Sequence, residues 1–141
     1  RTEAQRVDSI LASLRAQYRR ERPLSVFYQI WNDPLQTVNG EHLTSQLIEL
    51  CGGYNIFADA SSLAPKINLE SVLARDPQVI VASGMDTARP EWLEDWRGYS
   101  SLKAVHNSAL FFVPPDHLQR PTARVLLGAK QLCSQLATVR P

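Results

Sequence analysis

Asp116 and Arg120 stand four residues apart, just ahead of the last apolar helical stretch. At that spacing a carboxylate and a guanidinium can pair with each other, cap the helix, or present a polar couple to a ligand. The histidines His42, His106 and His117 are scattered, without the i,i+4 pairing of a metalloprotease helix; His106 and His117 read as exposed loop residues. Cys51 and Cys133 are too far apart for a Cys-x-x-Cys metal or redox site. They fit either two buried free thiols or one long-range disulfide of an exported protein. A bridge would close a loop of about 80 residues, worth roughly 4–5 kcal/mol in the chain-entropy description before strain. No Gly-x-Gly-x-x-Gly follows the first apolar run, and there is neither a Gly-Lys-Ser/Thr loop nor a Gly-x-Ser-x-Gly elbow. With no nucleophile, base and orienting group to name, the residues favour binding over catalysis.

Aromatic surface is what the chain offers instead. Trp31 closes the apolar run Leu24–Trp31 and is followed by Asn32-Asp33-Pro34, so it should project toward a rim. The strand pattern is read with Tyr28 and Trp31 as one pair and Phe27 and Ile30 as another, on opposite faces. Glu70, in the first turn of a short helix, is a carboxylate favoured by the helix dipole. The basic cluster Arg15, Arg19, Arg20 and Arg22 suits a helix C-terminus and a solvated face.

The elements that must position these groups follow from periodicity. The chain has 141 residues, 44% hydrophobic and 21% charged, which fits one globular domain. Lys and Arg number 15 against 14 Asp and Glu, a formal charge of +1 that gives no reason to expect nucleic acid. The apolar runs Val79–Ala82 and Ala109–Val113 are too short to span a bilayer. Arg1-Thr2-Glu3-Ala4-Gln5 carries neither an initiator Met nor a leader pattern, and is read as either a processed product or, the favoured expectation, a piece of something longer. Val7, Ile10, Leu11, Leu14 and Tyr18 predict a helix from about Thr2 to Arg20, stopped by Pro23. A strand over Leu24–Trp31 precedes a turn at Asn39-Gly40 and a helix over His42–Leu50. Gly52-Gly53 should end that helix through positive φ. Asn68 caps a helix that Asp76-Pro77 ends, and Gln78–Ala82 and Ala109–Val113 are two more strands. Pro90–Trp96 is a helical piece, and a last helix runs from about Thr122 to Leu136. Alternating strands and helices predict an α/β fold with a mainly parallel sheet. Ligands would then meet the loops at the strand carboxyl ends, Trp31–Val38, Ser83–Arg89 and Pro114–Arg120.

Several stretches together carry a family likeness: Gln46-Leu47-Ile48-Glu49-Leu50-Cys51-Gly52-Gly53-Tyr54-Asn55-Ile56-Phe57, Ser71–Ile80, Asp116-x-x-x-Arg120 and Ala129–Cys133. The chain resembles the C-terminal lobe of the periplasmic vitamin B12-binding proteins, of the helical-backbone class that serves ABC importers. The resemblance covers essentially the whole chain. It implies a Rossmann-like three-layer lobe preceded by a long helix, with residues 1–22 connecting two lobes, residues 23–141 the ligand-binding lobe, and the N-terminal lobe absent. It also implies a Cys51–Cys133 disulfide, a periplasmic location and a monomer. Trp31, Asp33, Asp116 and Arg120 would face the ligand. Ile30 and Trp31 fall where the family has an aromatic–Gly pair, and Asp116 and Arg120 match a couple facing the corrin. Glu70 matches an exposed carboxylate that docks on the inner-membrane permease. One departure is Leu63-Ala64-Pro65, where Ala64 replaces a family Trp.

The resemblance thus implies a receptor that captures cobalamin between two lobes and delivers it to ABC permease subunits. Cobalamin would be its transported ligand rather than a cofactor, with no metal site, no nucleic acid and no membrane insertion. Haem or a ferric siderophore is the alternative ligand within the same fold class. From other classes, a small nucleotide-using enzyme domain lacks its phosphate loop, and a scaffold that pairs through its first helix would associate with concentration.

Overall fold

The computed structural model describes residues 3–18, 22–32, 35–83, 91–113 and 125–139. In chain order these form α1 (Glu3–Gln17), β1 (Leu24–Gln29), the two-residue strands β2 (Trp31–Asn32) and β3 (Leu35–Gln36), α2 (Leu43–Leu50), β4 (Gly53–Asn55) and α3 (Leu69–Arg75). There follow β5 (Val79–Ala82), a 3-10 helix (Glu91–Gly98), α4 (Lys103–His106), β6 (Leu110–Phe112) and α5 (Val125–Ala137).

The β-branched and aromatic residues of Leu24–Gln29 make β1 the central strand, and all six are buried. It pairs in parallel with β4 through Leu24↔Gly53 to Val26↔Asn55, and with β5 through Val26↔Val79 to Gln29↔Ala82. β6 extends the sheet beyond β5, so the order is β4-β1-β5-β6, all parallel. Strand alternation divides the side chains between two cores. Leu24, Val26, Tyr28, Val79 and Val81 meet Leu47 and Ile48 of α2 and Leu132 and Leu136 of α5 on one face, with Ile10, Leu11 and Leu14 of α1 packed alongside. On the other face Phe27, Ile80 and Ala82 meet Val72 of α3, Leu93 and Trp96 of the 3-10 helix, and Ala104 of α4. The result is the expected three-layer α/β lobe.

Three local expectations need correcting. Tyr28 and Ile30 pack together on the first core while Phe27 enters the second, because a strand alternates by two residues and not by three. β1 also stops at Gln29, where the chain bends at Ile30, so Trp31 lies beyond it in a separate strand. The first helix ends at Gln17, with the Tyr18 amide donating to the Leu14 carbonyl at 2.9 Å, short of the expected Arg20. β4 and α4 were missed because three- and four-residue elements carry too few residues to show a period.

The paired glycines serve two purposes. Gly52 takes φ 92° and turns the chain out of α2. Gly53 instead allows close approach, since a Cβ there would lie 3.0 Å from Cγ2 of Val26 and 3.2 Å from the Leu24 carbonyl oxygen. Asn68 caps α3 by accepting from the Ser71 amide at 2.8 Å, and Asp76 ends it at φ 46°. The Asp76 carboxylate also accepts from the Lys103 amide at 2.9 Å, which sets the start of α4.

Cys51, at the C-terminal end of α2, forms a disulfide with Cys133 of α5 across 82 residues of sequence. Both are buried in the first core. Thiol titration of the denatured, unreduced protein should find no free cysteine. Replacing both by alanine should lower the unfolding free energy by roughly 2–5 kcal/mol, read from denaturant midpoints.

Candidate functional site

A parallel sheet ordered β4-β1-β5-β6 has one topological switch point. After β1 the chain leaves through α2 to β4, on one side; after β4 it crosses through α3 to β5, on the other side of β1. The exits from β1 and β5 therefore diverge and leave a crevice at their carboxyl ends. Gln29 and Ser83 lie there, joined by the Ser83 amide donating to the Gln29 carbonyl at 3.0 Å.

Beyond Gln29 the chain builds a rim. Trp31 pairs with Gln36 and Asn32 with Leu35 in a small antiparallel ribbon, and the Ile30 amide donates to the Gln36 carbonyl at 3.0 Å. Trp31 is 38% exposed, so part of its ring is open at this end of the sheet. A second segment is laced onto this ribbon. Amides of Thr37, Asn39 and Gly40 donate to the carbonyls of Pro65, Leu63 and Ala58, and the Ile67 amide donates to Leu35. The Gln36 side-chain amide donates to the Ala64 carbonyl at 2.9 Å, so Trp31 and Ala64 are linked through one residue. Gly40 is required by close approach to Ala58, whose carbonyl oxygen would lie 2.9 Å from an added Cβ.

Buried polar groups anchor the rim from beneath. Asn55 donates to the Val38 carbonyl at 2.7 Å and to Oγ of Ser45 at 2.8 Å, and accepts from the Phe57 amide at 2.9 Å. The Ser45 hydroxyl donates to the Asn39 carbonyl at 2.6 Å, and the Thr37 hydroxyl donates to the Tyr28 carbonyl at 2.5 Å. Asn55, Ser45 and Thr37 thus tie the rim backbone to the elements beneath it. At the end of β6, Gln131 and Gln135 both donate to the Phe112 carbonyl, at 3.3 and 3.1 Å.

Residues 3–117 match the periplasmic binding protein family. The chain belongs to that family. It is 37% identical over 126 residues to the vitamin B12-binding protein of Vibrio cholerae serotype O1, an alignment covering 89% of this chain and 45% of the relative. The crystal structure of the periplasmic vitamin B12-binding protein BtuF of Vibrio cholerae superposes with a TM-score of 0.81 at 35% identity, covering 95% of this chain and 52% of that one. The periplasmic haem-binding protein HutB of Vibrio cholerae shares the fold at TM-score 0.79 and 16% identity, covering 94% of this chain and 54% of that one. The chain thus spans about half the length of the relatives it matches.

Within this family member, the expected site residues divide by place. Trp31 is on the rim; Asp33, Asp116 and Arg120 lie outside the described residues. Glu70 is exposed in the first turn of α3. It follows the rim segment closely: Gln36 bridges Lys66, and Ile67 bonds Leu35, three residues before it. A helix that returns to a parallel strand must start at the carboxyl edge of the sheet, which places Glu70 beside the rim. Sequence reasoning did not single out Gln29, Asn55 and Trp96, whose hydrogen bonds hold the rim and the end of β1. A polar Gln closing the apolar run Leu24–Ile30 was the available signal. Among the described residues no group of three His, Cys, Asp or Glu could hold a metal, and no helix is long and apolar enough to cross a membrane. A groove of about 310 Å³ between α1 and α2, lined by Leu11, Arg15, Leu43 and Leu47 among others, shares no residue with the rim.

His42 caps α2 with its Nδ1, which accepts from the Thr44 amide at 3.1 Å. Burial pushes its imidazole below the ordinary value, and protonation would also remove the acceptor that makes the cap. The unfolded chain therefore binds the proton more readily. His42's contribution to stability is complete above about pH 6.5, the ordinary imidazole value, and is lost as pH falls through the lower folded value. Unfolding midpoints should accordingly decline below about pH 6.5. His42→Asn, which keeps a capping acceptor, should flatten that decline in denaturant titrations at stepped pH.

Proposed function

We propose that this chain is one lobe of a two-lobed periplasmic receptor that captures cobalamin and delivers it to an ABC importer. The observation that carries this reading is the 37% identity to a vitamin B12-binding protein across 89% of the chain. The rim at the switch point supports it, being built to present a large aromatic ring beside a crevice. On this reading α1 joins the two lobes, residues 1–22 being the connecting segment and residues 23–141 the ligand-binding lobe.

The physics is that of capture and not of reaction. A corrinoid is a broad macrocycle with an amide periphery. Trp31 covers an apolar face, while Asp33, Asp116 and Arg120 meet the periphery through oriented hydrogen bonds. Both lobes are needed for tight binding, because one lobe supplies about half of the apolar burial and none of the preorganisation of a closed cleft. Glu70 is the carboxylate through which the lobe docks on the permease, and its exposed place beside the rim leaves it accessible when ligand is held.

Absorbance and calorimetric titration of the full-length protein that contains this chain should show cobalamin bound in preference to haemin and ferric siderophores; preference for either rival ligand would overturn the reading. Trp31→Ala should weaken cobalamin binding by roughly 1–3 kcal/mol with the fold retained, and Arg120→Ala by about 1–2 kcal/mol. Glu70→Ala should lower importer-coupled uptake while the cobalamin Kd stays within about threefold. Equal losses in uptake and affinity would place Glu70 in the ligand site.

A further inference from the structure

Gln29 is 2% exposed and occupies the last position of β1, at the switch point. Its side chain has a partner at each end. Oε1 accepts from Nε1 of Trp96 at 2.7 Å, and Nε2 donates to the Trp31 carbonyl at 3.2 Å. The orientation is dictated, since the indole nitrogen can only donate and a carbonyl can only accept. Trp96 itself is 4% exposed and fixed in the second core, edge-on to Phe27 at 5.9 Å between ring centroids. Phe27 in turn meets Phe57 edge-on at 5.8 Å, and the guanidinium of Arg75 lies 4.6 Å from the centre of the Phe57 ring. A rigid aromatic stack thus ends in an amide that grips the backbone of the one exposed tryptophan on the rim.

An aliphatic residue at position 29 would satisfy the burial of β1 without the cost of desolvating an amide. The polar side chain is matched at both ends, and what its second bond fixes is the backbone of Trp31. We infer that Gln29, held by Trp96, is a positioning residue that presets the Trp31 rim for its ligand. The bend at Ile30 ends the β1 ladder, so the peptide of Trp31 is held by the two-residue ribbon and by Gln29. Presetting lowers the ordering cost of binding, so loss of the link appears as weaker affinity transmitted through Trp31.

The inference rests on the cobalamin-receptor reading for its ligand, and its test has one arm that does not. In the full-length protein, Gln29→Met should weaken cyanocobalamin binding by about three- to tenfold. In a Trp31→Ala background the same change should alter affinity by less than about twofold, whereas its effect on the melting temperature should be equal in both backgrounds. Should Gln29→Met fail to fold, Trp96→Phe keeps a smaller ring against Phe27 and removes the donor, and is expected to give the same pattern in affinity. Affinity unchanged by either variant, or a loss that persists in full without Trp31, would overturn the inference. The ligand-free arm uses fluorotryptophan labelling and fluorine NMR, with the Trp31 signal assigned by Trp31→Phe. That signal should be single and sharp in the parent and broadened or split in Gln29→Met; an unchanged signal would overturn the positioning role even if the parent takes a ligand other than cobalamin. A parent that binds haemin and not cobalamin, with the Trp31 signal still dependent on Gln29, would reject the receptor reading and keep this one.

Discussion

Pairing of β1 on both edges is the constraint on which the rest of the lobe depends. Every residue from Leu24 to Gln29 is buried, so the strand cannot slip by one position without exchanging the contents of two cores. Leu24, Val26, Phe27 and Tyr28 each contribute about 1.5–3 kcal/mol of burial, together at least the scale expected of the disulfide. The disulfide reinforces only one of the two cores, tying α2 to α5 on the face of Tyr28. The opposite core has no such bond among the described residues and relies on interlocking rings, with Arg75 capping the stack over Phe57.

The same strand determines where a ligand can be met. Because β4 and β5 flank β1 on opposite sides, the chain must diverge at its carboxyl end. Irregular backbone at such a place needs partners for its amides and carbonyls. Residues 35–40 and 58–67 supply them to each other, and Asn55, Ser45 and Thr37 supply the remainder from below. This is why the rim holds its form without regular strands, and why so many buried polar side chains cluster at one end of an otherwise apolar lobe.

Much of this was legible from residue patterns. The start of the first strand at Leu24, the strand within Gln78–Ala82, the Asn68 cap and the Asp76 stop follow from local chemistry, and the structure has them there, although the first strand ends at Gln29 and not at Trp31. The family stretch ending in Asn55-Ile56-Phe57 was visible as a motif, but its job was not, because Asn55 acts on Val38 and Ser45, which only the fold brings near. The link from Trp96 to Gln29 spans 67 residues and has no local signature. Trp31 was placed correctly at a rim and wrongly on a continuous strand. The bend at Ile30 depends on Gln36, which captures the Ile30 amide from a ribbon too short to show alternation.

The position of α3 bears on how the proposed capture and delivery would relate. A helix feeding a parallel strand begins at the strand's carboxyl edge, so Glu70 and the rim are forced onto one side of the lobe by topology alone. The segment 63–67 belongs to both: its backbone is bonded to residues 35–39, and it leads directly into the Asn68 cap of α3. On the proposed function, a docking surface at Glu70 and a ligand surface at Trp31 are joined by a short stretch of chain whose backbone is bonded to residues 35–39. On that reading, a displacement of the rim would reach the start of α3 through Ile67 and Asn68. A permease partner held at α3, as proposed, would in turn meet the rim through the same bonds.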